Sequence, residues 1–152
     1  MPRIVSVVSE RSGYVQNISI GPHLLHADEP RGNGGSDTGP NPYELLMAAL
    51  GACTSMTVQM YAERRRWPLQ GVHVCLAQVR VHALDCANCE GAAPMVERID
   101  MTILLRGDLS EAQRQRLMDV AAKCPVHRTL SQRVEISTRE SAQEPPQPCE
   151  RT

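Results

Sequence analysis

The chain has very few aromatic residues: its 152 residues include three Tyr, one Trp and no Phe. Proteins that bind single-stranded nucleic acid stack the bases on aromatic side chains, so this composition argues against that class. Acidic and basic side chains nearly balance, giving a net charge of −1 and no strong positive field to attract phosphates. We therefore expect no nucleic-acid partner and a core filled mainly by aliphatic side chains.

The sequence also lacks an uninterrupted run of about 18 apolar residues, the length that a membrane-spanning helix requires. The first residues lack the apolar stretch and small-residue cleavage site of a secretory signal. These features favour a cytoplasmic protein with no membrane partner. In a reducing compartment, the six cysteines indicate redox or metal chemistry rather than a static disulfide framework.

The hydrophobic pattern predicts an α+β fold with the element order β-β-β-α-β-β-α-β. We assign residues 1–140 to one domain and the Pro-, Gln- and Glu-rich residues 141–152 to a disordered tail. A stretch rich in Gly and Pro, residues 28–42, predicts a long loop of the kind that often carries function. Strands are predicted at residues 3–8, 13–20, 23–27, 72–84, 96–106 and 134–138.

Two helices are indicated by their start signals. Asn41 followed by Glu44 forms a capping pattern, and the apolar residues after it lie almost all round the helix, which indicates a buried central helix. Ser110 followed by Gln113 opens a second, amphipathic helix in the same way. Pro125 predicts the end of that second helix.

Two cysteines lie on apolar faces of these helices, Cys53 in the first and Cys124 at the end of the second. Buried cysteines are most often small hydrophobic side chains, but two inward-facing helices could also bring two thiols together. A reactive thiolate needs a nearby cation. The arginines at 64–66 lie too far along the first helix to supply it. The candidates from loops and element ends are Arg11, Arg31 and Arg128.

Residues 34–46 and 48–57 resemble the first cysteine motif of the OsmC/Ohr family of organic hydroperoxide reductases, and residues 123–130 resemble its second. The resemblance covers nearly the whole chain except the tail, and it is closest to the OsmC-like redox proteins. It implies an α+β fold of antiparallel sheets with two central helices, assembled as an intertwined homodimer.

The resemblance also implies roles for individual residues. Cys53 would be the peroxidatic thiolate, which attacks the O–O bond of an organic hydroperoxide and becomes a sulfenic acid. Cys124 would resolve that acid to a disulfide, which a dithiol reductant such as a lipoyl protein would reduce. An Arg–Glu pair beside the first cysteine is expected from Glu44 with Arg11, or alternatively Arg31. This chemistry requires no cofactor and no metal.

A second pair of cysteines, Cys86 and Cys89, has the CxxC spacing found in metal and redox sites. Together with Cys124 and His127 it could complete a zinc-binding set, although the gap between Cys89 and Cys124 exceeds the usual spacing. The alternative to the enzyme is therefore a non-enzymatic module that binds a small molecule or zinc. The two hypotheses differ in whether Cys124 pairs with Cys53 or with the CxxC.

Overall fold

The structure is a computed structural model that describes residues 4–82 and 95–143. It divides into two compact units, one comprising the chain up to Leu46 and from Glu135 onward, the other Met47–Val134. Strands and helices occur in both sequence halves, and both sheets are antiparallel. The predicted α+β class is therefore confirmed.

The first unit contains a three-stranded antiparallel meander of β1 (Val5–Ser9), β2 (Gln16–Ile20) and β3 (His23–Ala27). In the register, Val7 lies opposite Ile18, which lies opposite Leu25, so the apolar residues share one face of the sheet. The β-branched residues that predicted these strands thus form an apolar sheet face. The predicted loop after β3 is mostly irregular, with one short 3₁₀-helix at Arg31–Asn33.

The central helix α1 (Pro42–Arg65) begins at the predicted capping pattern. The backbone N–H of Glu44 donates to Asn41 Oδ1 at 2.9 Å. In return, the N–H of Asn41 donates to a carboxylate oxygen of Glu44 at 2.8 Å. These reciprocal bonds satisfy two backbone donors that a helix start otherwise leaves unpaired.

The second unit is built on a long hairpin of β4 (Leu69–His82) and β5 (Met95–Gly107). Helix α1 lies close to this hairpin at Gly51, where a Cβ atom would come within 2.8 Å of a methyl group of Leu76. A glycine at this position therefore allows the helix and the strand to approach each other closely. The predicted hairpin loop lies mostly outside the described residues.

Two further helices complete the second unit, α2 (Glu111–Ala121) and α3 (Pro125–Leu130). The predicted capping box of Ser110 and Gln113 is present at the start of α2. Pro125 was predicted to end the second helix. In the structure it instead occupies the first turn of α3, where its missing N–H costs no hydrogen bond. The buried core of this unit is formed by Val58, Ala62, Leu105, Leu109, Leu117 and Ala121.

The prediction that α1 is buried all round is only partly correct. One stripe is buried, formed by Leu50, Gly51, Thr54, Val58 and Ala62. Met56 and Met60, in contrast, are 61% and 53% exposed. By length and composition α1 could also cross a membrane, but core helices meet the same criterion, so this is weak evidence.

The last predicted strand, residues 134–138, is not a strand in the structure. Its apolar residues Val134 and Ile136 are 52% and 82% exposed. The alternating pattern favours a strand, but a strand also needs a neighbour, and these residues have no strand partner among those described. The predicted disorder of residues 141–152 stays a prediction, because most of that segment lies outside the described residues.

Candidate functional site

Cys53 lies near the middle of α1, and its side chain is half-buried. Its thiol is free. The hydroxyl of Thr57 donates to the carbonyl oxygen of Cys53 at 2.7 Å, one helical turn later. This is a local bond within the helix, from a side chain to the backbone carbonyl one turn earlier.

Cys124 lies between α2 and α3 and is fully buried. Its sulfur accepts a hydrogen bond from the backbone N–H of His127, at 3.3 Å. On its other side it lies 3.4 Å from the hydroxyl oxygen of Thr54, and either atom can be the donor. Since Thr54 directly follows Cys53, the structure places Cys124 against the neighbour of the other predicted reactive cysteine.

A cavity of about 590 Å³ opens in the same unit. The side chains of Leu50, Ile99, Met101 and Leu130 give it an apolar wall. Its polar lining residues are Glu97, Arg98, His127 and Ser131. Leu50 lies one helical turn before Cys53, and His127 is the residue whose N–H reaches Cys124, so the cavity adjoins elements that carry both cysteines.

The other residues predicted for the site lie in the first unit, except Arg128, which is exposed on α3 in the second unit. Arg11 is exposed between β1 and β2, and Arg31 is exposed in the 3₁₀-helix. Glu44 caps α1, which confirms the structural role expected for it. A catalytic role for Glu44, Arg11 or Arg31 stays a prediction.

Cys75 is an exposed free thiol on β4. Its sulfur lies 3.4 Å from Nε2 of His73, two residues away on the same strand face. The predicted roles of Cys86 and Cys89 fall outside the described residues, as does Cys149. Within the described ranges, no group of three His, Cys, Asp or Glu side chains is arranged to hold a metal ion. The zinc hypothesis, which requires the CxxC, is therefore untested.

Tyr61 on α1 forms a cluster with cationic side chains away from the two cysteines. Arg116 donates from Nε to the Tyr61 hydroxyl at 2.9 Å, and the Arg65 guanidinium lies 5.4 Å from the ring centroid. The hydrogen bond from Arg116 is the main reason that the pKa of Tyr61 lies below 10.0, its ordinary value. This cluster links α1 to α2 on the surface of the second unit.

Two buried polar residues, Thr54 and Asp28, were not predicted from the sequence. Thr54 could have been found, because it lies four residues from both Leu50 and Val58 in the buried stripe of α1. Asp28 precedes a loop whose backbone amides need acceptors, but the sequence alone does not show which amides turn towards it.

The carboxylate of Asp28 organises the loop before α1. It accepts hydrogen bonds from the backbone N–H groups of Glu29, Ser36 and Thr38 and from the Thr38 hydroxyl, at 2.8–3.1 Å. Burial by itself would raise the pKa of Asp28, but these hydrogen bonds outweigh it, and the pKa lies below its ordinary value of 3.8. The anionic form is therefore the one that the folded loop favours.

This arrangement predicts an acid-sensitive contribution to stability. A carboxyl group whose pKa is lowered by folding stabilises the protein above its unfolded pKa, and this contribution is lost as the pH falls through the folded pKa. We expect Asp28→Asn to lower the free energy of unfolding at pH 7. Below about pH 4, the free energy of unfolding should decrease less steeply with falling pH in this variant than in the wild type. Urea unfolding at a series of pH values measures both effects. Asp37→Asn, an exposed change in the same loop, is the matched control; equal behaviour of the two variants would contradict the prediction.

Residues 34–139 match the family model described as OsmC-like protein. No curated protein sequence matches the chain. An OsmC-like protein from Mycoplasma pneumoniae has a similar structure, with a TM-score of 0.66 at 19% identity, over 86% of this chain and 88% of that one.

Two further structures are similar, and both are organic hydroperoxide resistance proteins by name. The one from Legionella pneumophila has a TM-score of 0.63 at 17% identity, over 86% of this chain and 89% of that one. The one from Elizabethkingia anophelis has a TM-score of 0.63 at 15% identity, over 85% and 87% of the two chains. At these identities the likeness shows the fold alone, and it agrees with the predicted OsmC-like α+β arrangement.

Proposed function

Since the chain belongs to the OsmC-like protein family, we propose that it is a thiol-dependent peroxidase that reduces organic hydroperoxides to alcohols. Cys53 provides the attacking thiolate, and Cys124 provides the second thiol. The names of the Legionella and Elizabethkingia structures support the choice of substrate class.

One observation carries the proposal: Cys124 is fully buried, with its sulfur 3.4 Å from the hydroxyl of Thr54, the residue after Cys53. Cys124 is the N-cap of α3, and the His127 N–H bond to its sulfur is the capping bond. The Thr54 hydroxyl is a second polar group at this sulfur, supplied by α1. Both groups are able to donate a hydrogen bond to this sulfur when it reacts.

In the first half of the reaction, the Cys53 thiolate attacks one peroxide oxygen. A sulfur–oxygen bond forms and the O–O bond breaks, so Cys53 is oxidised to the sulfenic acid while the leaving alkoxide takes up a proton and becomes the alcohol. We keep Arg11 as the candidate for the cation that favours the thiolate, with Glu44 as its partner and Arg31 as the alternative.

In the second half, the Cys124 thiol loses its proton and attacks the Cys53 sulfur. The S–S bond forms and hydroxide leaves as water, so that two thiols have delivered two electrons to the peroxide. A dithiol donor, such as a protein-bound lipoyl group, then reduces the disulfide by two successive exchanges. A donor of this kind fits a reducing compartment, and we propose that the protein works in the cytoplasm.

The cavity in the second unit supports an organic substrate. Its apolar wall of Leu50, Ile99, Met101 and Leu130 can cover an alkyl chain. Arg98 and His127 on the polar side can orient the oxygen-bearing end. Arg98 also forms an exposed ion pair with Asp100 at 2.9 Å.

We also propose that the protein works as a homodimer. Apolar residues remain exposed on one face of the β1–β2–β3 sheet, with Val5, Val7 and Leu25 between 43% and 56% exposed. Met56 and Met60 of α1 are exposed as well, and the β-like residues 134–138 have no strand partner among the described residues. A second copy of the chain could cover these surfaces. Sedimentation analysis measures the mass in solution, and a mass equal to one chain would contradict the dimer.

The test adds cumene hydroperoxide or hydrogen peroxide to the reduced protein and maps the disulfide by mass spectrometry. We expect a Cys53–Cys124 disulfide and faster consumption of the organic peroxide. Cys53→Ser should slow that consumption by about a thousandfold or more, because the attacking sulfur is lost.

Cys75→Ser removes an exposed thiol outside the proposed pair and serves as the matched control, with wild-type turnover expected. Unchanged turnover in Cys53→Ser would exclude the peroxidase. Stoichiometric zinc, released when the thiols are modified, would instead support the zinc-binding alternative with Cys86, Cys89 and Cys124.

A further inference from the structure

Thr54 is a fully buried polar residue that the reaction as described does not use. It lies in the buried stripe of α1, between Leu50 and Val58. Its hydroxyl oxygen is 3.4 Å from the sulfur of Cys124. A valine would fill the same space in this apolar stripe without a polar atom to satisfy, so the hydroxyl calls for an explanation.

The hydroxyl suits a sulfur that changes its protonation state. While Cys124 is a thiol, either group can donate to the other, because a hydroxyl is both donor and acceptor. When Cys124 becomes a thiolate it can only accept, and the Thr54 hydroxyl can rotate to donate to it. Together with the N–H of His127, the thiolate then has two donors in a place that water does not reach.

We propose that Thr54 is a positioning residue for the resolving step, a proposal that rests on the proposed peroxidase function. Its hydroxyl donates to the Cys124 thiolate as that sulfur attacks the sulfenic acid of Cys53. The S–S bond forms, the S–O bond of the sulfenic acid breaks, and the leaving hydroxide combines with the proton from Cys124 to give water. Because the first step does not ionise Cys124, Thr54 acts on the second step alone.

The test compares Thr54→Val, which removes the hydroxyl and keeps the shape, with Thr54→Ser, which keeps the hydroxyl. Thr57→Val is the matched control: it also removes a hydroxyl from α1, but that hydroxyl bonds to the carbonyl of Cys53 and not to Cys124. Each reduced protein receives one equivalent of cumene hydroperoxide. Dimedone trapping follows the sulfenic acid, and peptide mapping follows the Cys53–Cys124 disulfide.

We expect the sulfenic acid to form at the same rate in all four proteins. In Thr54→Val the disulfide should form at least about tenfold more slowly, since a hydrogen bond to a charged sulfur is lost. Its rate should also reach its plateau at a higher pH. Thr54→Ser should restore both the rate and the pH profile. The ionisable neighbour His127 is the same in every variant, so it does not account for a difference between their pH profiles.

A wild-type rate of disulfide formation in Thr54→Val, with normal sulfenic acid formation, would overturn the proposal and leave the peroxidase intact. If no sulfenic acid forms in any variant, the peroxidase function is wrong instead. Diamide then tests Thr54 without a peroxide. It forms an adduct with one thiol, and the second thiol attacks that sulfur, displaces the reduced diamide and forms the disulfide. Slower Cys53–Cys124 pairing in Thr54→Val supports the role of Thr54, and equal pairing in all variants overturns it.

Discussion

We expect a Cys124→Ser variant to reduce about one equivalent of organic hydroperoxide per chain in a first stage and about one more in a second stage with excess peroxide, without catalytic turnover. Cys53 can still attack the peroxide, but its sulfenic acid has no second thiol to form the disulfide that the dithiol donor reduces. With excess peroxide the sulfenic acid is oxidised further to sulfinic acid, which the donor does not reverse. Stopped-flow peroxide consumption and the intact mass of the protein measure the two stages.

The buried position of Cys124 makes this prediction specific. A serine fits the same space, and its hydroxyl can accept from the His127 N–H as the sulfur does. Loss of turnover in Cys124→Ser would therefore come from the missing thiol and not from a collapsed site. Multiple turnovers at the wild-type rate would show that another thiol resolves Cys53; Cys75→Ser in the same background then tests the exposed cysteine of β4.

Features set by neighbouring residues could be predicted from the sequence. The two helix starts are confirmed to the residue, because a capping box depends on side chains three positions apart. The β4–β5 hairpin and the N-terminal meander also follow from local alternation, with ends that differ by a few residues. In each case the interaction partner lies in the same element or in the next strand along the chain.

Features that depend on what covers a surface could not be predicted. The apolar character of α1 indicated burial, yet Met56 and Met60 are exposed. The alternation at residues 134–138 indicated a strand, yet no described strand lies beside them. A sequence pattern indicates that a segment suits apolar surroundings or a sheet. It does not show whether the same chain supplies those surroundings.

The candidate site divides in the same way. The cysteine motifs led to Cys53 and Cys124, and the structure places Cys124 against the residue that follows Cys53. The burial of Thr54 follows from the periodicity of α1, but its contact with Cys124 could not be predicted, because the two residues are seventy positions apart in the chain. Asp28 was overlooked because its four donors come from a loop without periodicity.

The packing that brings Thr54 to Cys124 can be tested through stability. Leu117 on α2 is fully buried and belongs to the core cluster with Val58 and Ala62 of α1 and Leu105 of β5. We expect Leu117→Ala to lower the free energy of unfolding by about 3 kcal/mol, because it leaves a cavity between these elements. Urea unfolding at a fixed protein concentration measures the loss, since association would otherwise change the result.

Met118→Ala is the matched control, because Met118 is the next residue of α2 and its side chain is 40% exposed. It should cost less than about 1 kcal/mol, as most substitutions of exposed residues do. The difference between the two variants reports the burial of one helix face against α1 and β5. If Leu117→Ala costs no more than Met118→Ala, then α2 does not pack in this way. The contact of Thr54 with Cys124, which depends on the same packing, would then lose its support.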